Sequence, residues 1–594
     1  MPCTSDSDRA LFLNIMERLK EQDPYRTVIQ IRRILEELGI FITESWIDSS
    51  VSSLFSVRIV ISGTQVGSNG KGVTRILALA SAYGEFMERL SNGMLLQRMG
   101  IDIFPHYSCG CMLPIDVIAQ GGHLIDTLLT AMQTEQGGGA HQADGRLSNL
   151  TFHPEERILA LSAWNMRTGA DVLCLPYTGL LSGKEEMLPL PFIHHYGSNG
   201  MASGNTMQEA IVQAVSEIFE RWSQYCIFTR KLTPPVVERS SIRDRFPTID
   251  AVIAEIESFG HFHIEIRDCS LGRGLPVYCA CLCDRRSHRY AISFGSSPNI
   301  DTGLERLFTE LVQGRKLDET ALGRAGAPLL MEPFELRRLF RNSTGNYPPE
   351  FWLNEPSWNV DEELLLRSCE TNTQALNWFS TLCAKADTDI FVRDCSVFGF
   401  PSVHVVIPGF SEVMGCSPLS LQYFSSLRHS SDILDNIAAV SQNQLAFLLE
   451  FLDFCRKMNA ADMLPLTRIR GWRGMMFHEG ILFFLARGYA ELGNFQKSAD
   501  FYCKLKDISF SFKEPLSCLR DYYELQATRA ESPAMTLLSH LYDPEVIEIA
   551  WKMRTIPLGA LVVATGYETP DIPLDVMRLV ERAKNYIPDI KRML

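Results

Sequence analysis

Two stretches of this chain repeat one another, and that repetition limits what it can fold into. Gly67-Ser68-Asn69-Gly70-Lys71-Gly72 leads into a helical stretch holding Gly84-Glu85-Phe86-Met87-Glu88-Arg89. Gly197-Ser198-Asn199-Gly200-Met201-Ala202-Ser203-Gly204-Asn205 leads into another, holding Glu217-Ile218-Phe219-Glu220-Arg221. Both contain Ser-Asn-Gly followed by Glu-x-x-Glu-Arg, and Arg306-Leu307-Phe308-Thr309-Glu310-Leu311-Val312-Gln313 is a weaker third echo. Residues three apart share one face of a helix, so Glu85 with Glu88, and Glu217 with Glu220, form two carboxylate ladders. Their flanks (Ala82, Phe86, Ile218, Phe219, Trp222) are apolar, which predicts helices buried on more than one side.

A single pair of glutamates at this spacing reads first as a solvated helix face. Its duplication, with glycines before it and arginine after it, reverses that weighting. If the two helices pack together, four carboxylates meet. At separations of ~6 Å and an effective dielectric of ~20, each pair repels by roughly 3 kcal/mol and six pairs by roughly 15. Protonation or divalent cations must relieve this, and an all-oxygen ligand set favours Mg²⁺. Magnesium held by carboxylates points in turn to a phosphate-bearing ligand. The glycine-rich segments are expected to be loops that open helices and offer backbone N–H groups and the positive dipole end to an anion, with Lys71, Ser203 and Asn205 adding donors. Gly67-x-x-Gly70-Lys71-Gly72 is not a Walker A loop, for it lacks the four-residue spacer and the Lys-Ser/Thr ending.

Composition sets the frame. The chain has 594 residues, 46% of them hydrophobic and 21% charged, which implies a globular protein of two to four domains. A net charge of −14 argues against a dedicated nucleic-acid binder. The start, Met1-Pro2-Cys3-Thr4-Ser5-Asp6, shows no secretion-signal layout, and apolar runs are too short to span a bilayer, so the expected setting is the cytoplasm. The sixteen cysteines are scattered without Cys-x-x-Cys. Cys279, Cys281 and Cys283 share one face of an expected strand, a row rather than a converging metal site, and are expected to be buried thiols.

Along the chain, residues 1–24 read as a polar lead and 25–415 as an α/β (α+β) body with internal duplication. Residues 416–594 read as an all-α domain. Ile266-Arg267-Asp268-Cys269-Ser270 and Val392-Arg393-Asp394-Cys395-Ser396 are a second echo within the body. Residues 134–147, with Gly137-Gly138-Gly139, read as a surface insertion. Near the end, Leu482, Leu485, Tyr489, Leu492-Gly493-Asn494-Phe495, Ala499 and Tyr502 follow one tetratricopeptide unit. His194-His195 is expected to be a rim or core contact, and no Gly-x-Ser-x-Gly elbow occurs.

The combination resembles the YcaO family, from about Arg26 to the end, and most specifically at Gly70-Lys71-Gly72 with Glu85 and Glu88, at Ser203-Gly204-Asn205 with Glu209, Glu217, Glu220 and Arg221, and at Arg306 with Glu310. It is most similar to stand-alone bacterial members with a tetratricopeptide-like C-terminal domain. The resemblance implies an ATP-binding body in which Glu85, Glu88, Glu217 and Glu220 hold several Mg²⁺ ions. It implies that Thr27, Lys71, Ser203, Asn205, Glu209, Arg221 and Arg306 bind the nucleotide, with Arg306 and Glu310 catalytic. Family members activate a backbone amide: a nucleophile adds to the carbonyl and ATP phosphorylates the resulting oxygen, giving an azoline, thioamide or amidine. Azoline-forming members end in a proline-rich tail, whereas Tyr586-Ile587-Pro588-Asp589-Ile590-Lys591-Arg592-Met593-Leu594 has one proline. The helical subgroup is linked instead, as an accessory factor, to methylthiolation of an aspartate in a small-subunit ribosomal protein. Two functions are therefore expected. One is ATP- and Mg²⁺-dependent activation of a peptide or protein amide, or assistance to a partner methylthiotransferase. The other is a nucleotide-bound scaffold whose helical tail recruits a partner enzyme. A homodimer is expected from the helical tail.

Overall fold

A computed structural model describes most of residues 19–562; outside it lie 1–18, 98–110, 115–170, 325–334, 414–425, 458–468, 563–594 and some shorter stretches, including 194–196. The glycine-rich insertion at 134–147 and His194-His195 therefore lie outside the described residues.

Chain order builds the architecture. Helix α1 (Pro24–Glu37) starts from an Asp23 cap that accepts the Tyr25 N–H, and it buries Val28, Ile31 and Leu35 at helical spacing. An antiparallel sheet follows, β1 (Ile42–Ile47), β2 (Phe55–Ile61) and β3 (Gly67–Gly72), and then α2 (Arg75–Ser91). The second sheet holds β4 (Cys111–Pro114), β5 (Asp171–Gly179), β6 (Glu185–Pro189), β7 (Met201–Ser203), β11 (Phe391–Asp394) and β12 (Ser402–Val406), in the order β4-β5-β11-β12-β7 with β6 also on β5. Between β7 and β11 come α3 (Met207–Thr229), α4 (Pro247–Glu257), a third antiparallel sheet of β8 (Phe262–Asp268), β9 (Val277–Asp284) and β10 (Arg289–Ser296), then α5 (Ile300–Leu311) and α6 (Asn372–Lys385). The body is thus mixed α/β with antiparallel sheets, the α+β arrangement.

The first glycine-rich segment is not a loop. It is strand β3, paired with β2 from Val60↔Gly67 to Phe55↔Gly72. The glycines serve close packing instead: a Cβ on Gly70 would fall 2.0 Å from the Ala78 carbonyl oxygen, and one on Gly72 would fall 2.6 Å from the Ala78 nitrogen. Helix α2 therefore lies directly on strand backbone. The second segment repeats the device, for a Cβ on Gly204 would fall 2.7 Å from the Ala210 nitrogen. Both helices are also capped from within, Thr74 accepting from the Leu77 N–H and Thr206 from the Glu209 N–H. Part of the N–H set expected to face an anion is already used.

Helix α3 is buried nearly all round, as its apolar flanks predict. Phe219 stacks edge-on against Phe379 and Phe410, with ring centroids 5.3 Å away in each case. The Arg-Asp-Cys-Ser echoes make one local turn twice: the Ser270 N–H donates to Asp268 (2.7 Å) and the Ser396 N–H to Asp394 (2.8 Å). Cys279 and Cys281 are buried and Cys283 partly so, all as free thiols, and burial pushes each thiol up, Cys283 to about 11.

From Gln442 the described chain is helical: α7 (Gln442–Lys457), α8 (Phe477–Glu491), α9 (Phe495–Ile508), α10 (Lys513–Ala527), α11 (Glu531–Leu541) and α12 (Pro544–Thr555). α8 and α9 form the hairpin expected from Leu482 to Tyr502, turned at Gly493 with φ +71°. Ser498 donates to the Ala486 carbonyl across it (2.8 Å). These helices do not stand apart. Leu445, Phe484, Leu485 and Leu516 belong to one apolar cluster with Val28, Val57, Phe86 and Leu175, while α3, α5, α6 and the third sheet form a second core. Among the described residues no helix is long and apolar enough to cross a membrane.

Gly204→Ala should lower unfolding stability by about 1–3 kcal/mol, because its Cβ meets backbone that cannot swing away. Gly84→Ala, whose nearest foreign atom would be the Ser203 hydroxyl at 3.6 Å, should be neutral or stabilising by up to about 1 kcal/mol. Urea denaturation of both variants checks the contrast.

Candidate functional site

Three helices bring the predicted residues together. α2 presents Glu85, Glu88 and Arg89, α3 presents Gln213, Glu217, Glu220 and Arg221, and α5 presents Arg306 and Glu310, with Gln313 just beyond its end. Their placement follows from the caps. Thr74, Thr206 and Asn299 precede Glu85, Glu217 and Glu310 respectively by eleven residues, about three helical turns, so each helix carries that glutamate the same distance from its cap.

The first ladder is paired within its own helix: Arg89 lies 3.6 Å from Glu85 and 3.4 Å from Glu88. In the second, Arg221 donates to Glu217 at 2.8 Å. Lys71, on β3, reaches across to α5, where its ammonium pairs with Glu310 and donates to Gln313 Oε1 at 3.0 Å. Arg306 donates to the Ser296 carbonyl at 2.8 Å and to the Gln213 side-chain oxygen. Ser203, at the end of β7, donates to the Gly84 carbonyl of α2 at 2.7 Å. That bond ties the two glutamate-bearing segments together.

These charges sense one another. Burial pushes Glu88 well up; Arg89 and Arg221 oppose this, and Glu217 and Glu85 add to it. Burial likewise raises Glu220, with Glu217 adding and Arg306, Arg221 and Lys71 opposing. Lys71 is lowered to about 8: burial dominates, Arg306 adds, and the carboxylates Glu85, Glu220 and Glu217 oppose. Burial also lowers Arg306. The two ladders are thus close enough for repulsion between helices, as the repeated motif leads one to expect. Glu88 Oε1 is buried and accepts no hydrogen bond, although Arg89 Nε lies 3.4 Å away; a bound divalent cation would lessen the remaining cost. Among the described residues no three His, Cys, Asp or Glu side chains stand close enough to share one metal ion. The oxygen-only donor set nonetheless suits Mg²⁺, which takes one or two carboxylates and fills its octahedron with water and phosphate oxygens.

A second cluster adjoins the start of α3. Thr27 of α1 donates to Asn205 Oδ1 (2.7 Å), and Asn205 donates to both Glu209 oxygens (3.0 and 3.2 Å). Sequence reasoning placed Thr27, Asn205 and Glu209 here but missed Lys20 and Glu21. Lys20 pairs with Glu209 at 2.8 Å, the Glu21 N–H donates to it at 3.1 Å, and Asn372 of α6 secures Glu21 Oε1 at 2.8 Å. No local pattern announces contacts that close a loop of nearly two hundred residues. Gln313 closes the third echo but was given no role there, though its distance from the Asn299 cap matches that of Glu88 and Glu220 from theirs.

Burial pushes the Glu209 carboxyl up, but Lys20 and the hydrogen bonds from Lys20, Asn205 and the Glu21 N–H outweigh it and leave the group below its usual value. The contact therefore stabilises the fold above the ordinary carboxylate pKa and is lost as pH falls through the lowered one. Hydrogen exchange should show the protection factor of the Glu21 amide dropping through that acid range. Glu209→Gln should already have low protection at neutral pH and little further dependence on pH.

Known proteins resemble this chain over much of its length. Residues 69–411 match the family model described as YcaO cyclodehydratase, ATP- and Mg²⁺-binding. An uncharacterized protein of Haemophilus influenzae is 30% identical over 403 residues, covering 65% of this chain and 64% of that protein, so the match spans somewhat less than two thirds of the relative's length. The ribosomal protein S12 methylthiotransferase accessory factor YcaO of Escherichia coli is 25% identical over 470 residues, covering 76% of this chain and 74% of that one. Among solved structures, YcaO from Methanopyrus kandleri bound with AMPPCP and Mg²⁺ aligns at a TM-score of 0.40 and 18% identity, over 68% of this chain and 95% of that one. With its matched segment running from Asn69 beside the first ladder to Ser411 beyond the last body strand, the chain belongs to the YcaO family.

Proposed function

We propose that this protein binds ATP with Mg²⁺ and uses it to activate an amide of a peptide or protein, or to support a methylthiotransferase that modifies a ribosomal protein aspartate. The observation that carries the reading is the approach of the Glu85–Glu88 pair to Glu217, with Glu220 beside it, on two capped helices of a YcaO-family body. On this reading those four glutamates hold the Mg²⁺ ions. The ions, when bound, neutralise phosphate charge and polarise the phosphoryl group.

The remaining roles follow from the chain's own chemistry. Lys71, Arg221 and Arg306 supply cations to the phosphates, and Arg306 stabilises charge that develops on transfer. Thr27, Ser203, Asn205 and Glu209 contact the nucleotide, with Lys20 beside them. Glu310, now held by Lys71, is the catalytic carboxylate once a phosphate takes over the ammonium. The body spans residues 25–415 and arose by internal duplication, which the twin caps, twin glycine–helix contacts and twin Arg-Asp-Cys-Ser turns support. The setting is the cytoplasm. Phosphate release with ATP and Mg²⁺ should fall by roughly a hundredfold or more in Glu217→Gln; equal rates in wild type and variant would remove the glutamates from the reaction.

A second reading makes the protein a nucleotide-bound scaffold. It is favoured by the last two described helices, where Met535, Leu537, Leu541 and Ile549 are exposed. On this reading residues 416–594 are a tetratricopeptide-like domain that receives a partner methylthiotransferase, or pairs with a second copy. Leu537→Asp with Leu541→Asp should weaken capture of purified methylthiotransferase by about tenfold or more while leaving phosphate release unchanged. Unaltered capture would count against the scaffold.

A further inference from the structure

Three places after Glu85, Glu217 and Glu310 stands a residue fourteen positions from the cap of its segment. It is Glu88 in α2 and Glu220 in α3, but Gln313 beyond α5. The third corner of the site thus carries a neutral amide where the other two carry carboxylates. That amide is engaged at both ends. Its oxygen accepts from the Lys71 ammonium at 3.0 Å, and its nitrogen lies 3.3 Å from the Asn69 carbonyl and 3.5 Å from Glu85 Oε2. Only an amide can do this, since a carboxylate has no hydrogen to offer Asn69 or Glu85.

We infer that Gln313 is a positioning residue, which fixes the Lys71 ammonium between β3 and α5 beside Glu85 and so sets the affinity for a nucleoside triphosphate. This rests on the nucleotide reading given under Proposed function. A glutamate at 313 would hold Lys71 by charge, press on Glu85 and repel a phosphate. An alanine would release Lys71 to Glu310 alone.

The test measures ATP–Mg²⁺ binding by calorimetry, and, without nucleotide, the rate at which Lys71 is reductively methylated, read by mass spectrometry. Gln313→Ala should weaken binding by about fivefold and Gln313→Glu by at least about tenfold, with Gln313→Asn between wild type and alanine. In a Lys71→Ala background the alanine change should cost less than about twofold, because the two residues act as one unit. Lys71 methylation should accelerate several-fold in Gln313→Ala. An equal loss of binding with and without Lys71, or wild-type binding by Gln313→Glu, overturns the inference, as does an unchanged methylation rate. Wild-type protein that fails to bind ATP would instead remove the nucleotide reading. The methylation rate then decides by itself whether Gln313 holds Lys71.

Discussion

The arrangement depends on like charge held at close quarters. Helices α2 and α3 are gripped by strands whose glycines leave no room to retreat, and they bring two glutamate ladders within reach of each other. Repulsion of this kind opposes folding, and the chain tempers it with local cations. Arg89 and Arg221 each answer a glutamate of their own helix, while Lys71 and Arg306 approach from neighbouring elements. The balance is incomplete, since Glu88 and Glu220 remain raised and Lys71 is lowered despite its acidic company. On the proposed reading, such a site suits a ligand that brings negative charge together with divalent cations.

Backbone fit makes the crowding possible. A helix normally keeps its distance from a sheet because side chains intervene. At Gly70, Gly72 and Gly204 they do not, and the Ser203 hydroxyl then binds the Gly84 carbonyl directly. Glycine here has little to do with loop flexibility. It determines how near two charged surfaces can come.

Much of this was legible in the chain itself. The acid spacing, the buried character of α3, the thiol row on β9 and the Leu482–Tyr502 hairpin follow from periodicities of two or 3.6 residues that side-chain packing enforces. Strand β3 was not legible as a strand, because glycine and asparagine carry no alternating apolar signal and their pairing with β2 is fixed by tertiary contact. Lys20 and Glu21 were read as part of a polar lead, since nothing local distinguishes a lysine bound to a carboxylate 189 positions away. Gln313 was legible as part of the third echo but not as a site residue, because the echo lacks a second acid and the informative regularity is the interval from the cap.

The two apolar cores divide the site between them. α2, with Glu85 and Glu88, is rooted in the cluster that also contains the C-terminal helices, whereas α3 and α5 are rooted in the other. The acidic centre consequently straddles a seam. The separation of the two ladders is therefore set by how two separately packed cores meet, and a change of volume in either core is felt as a change of spacing between like charges.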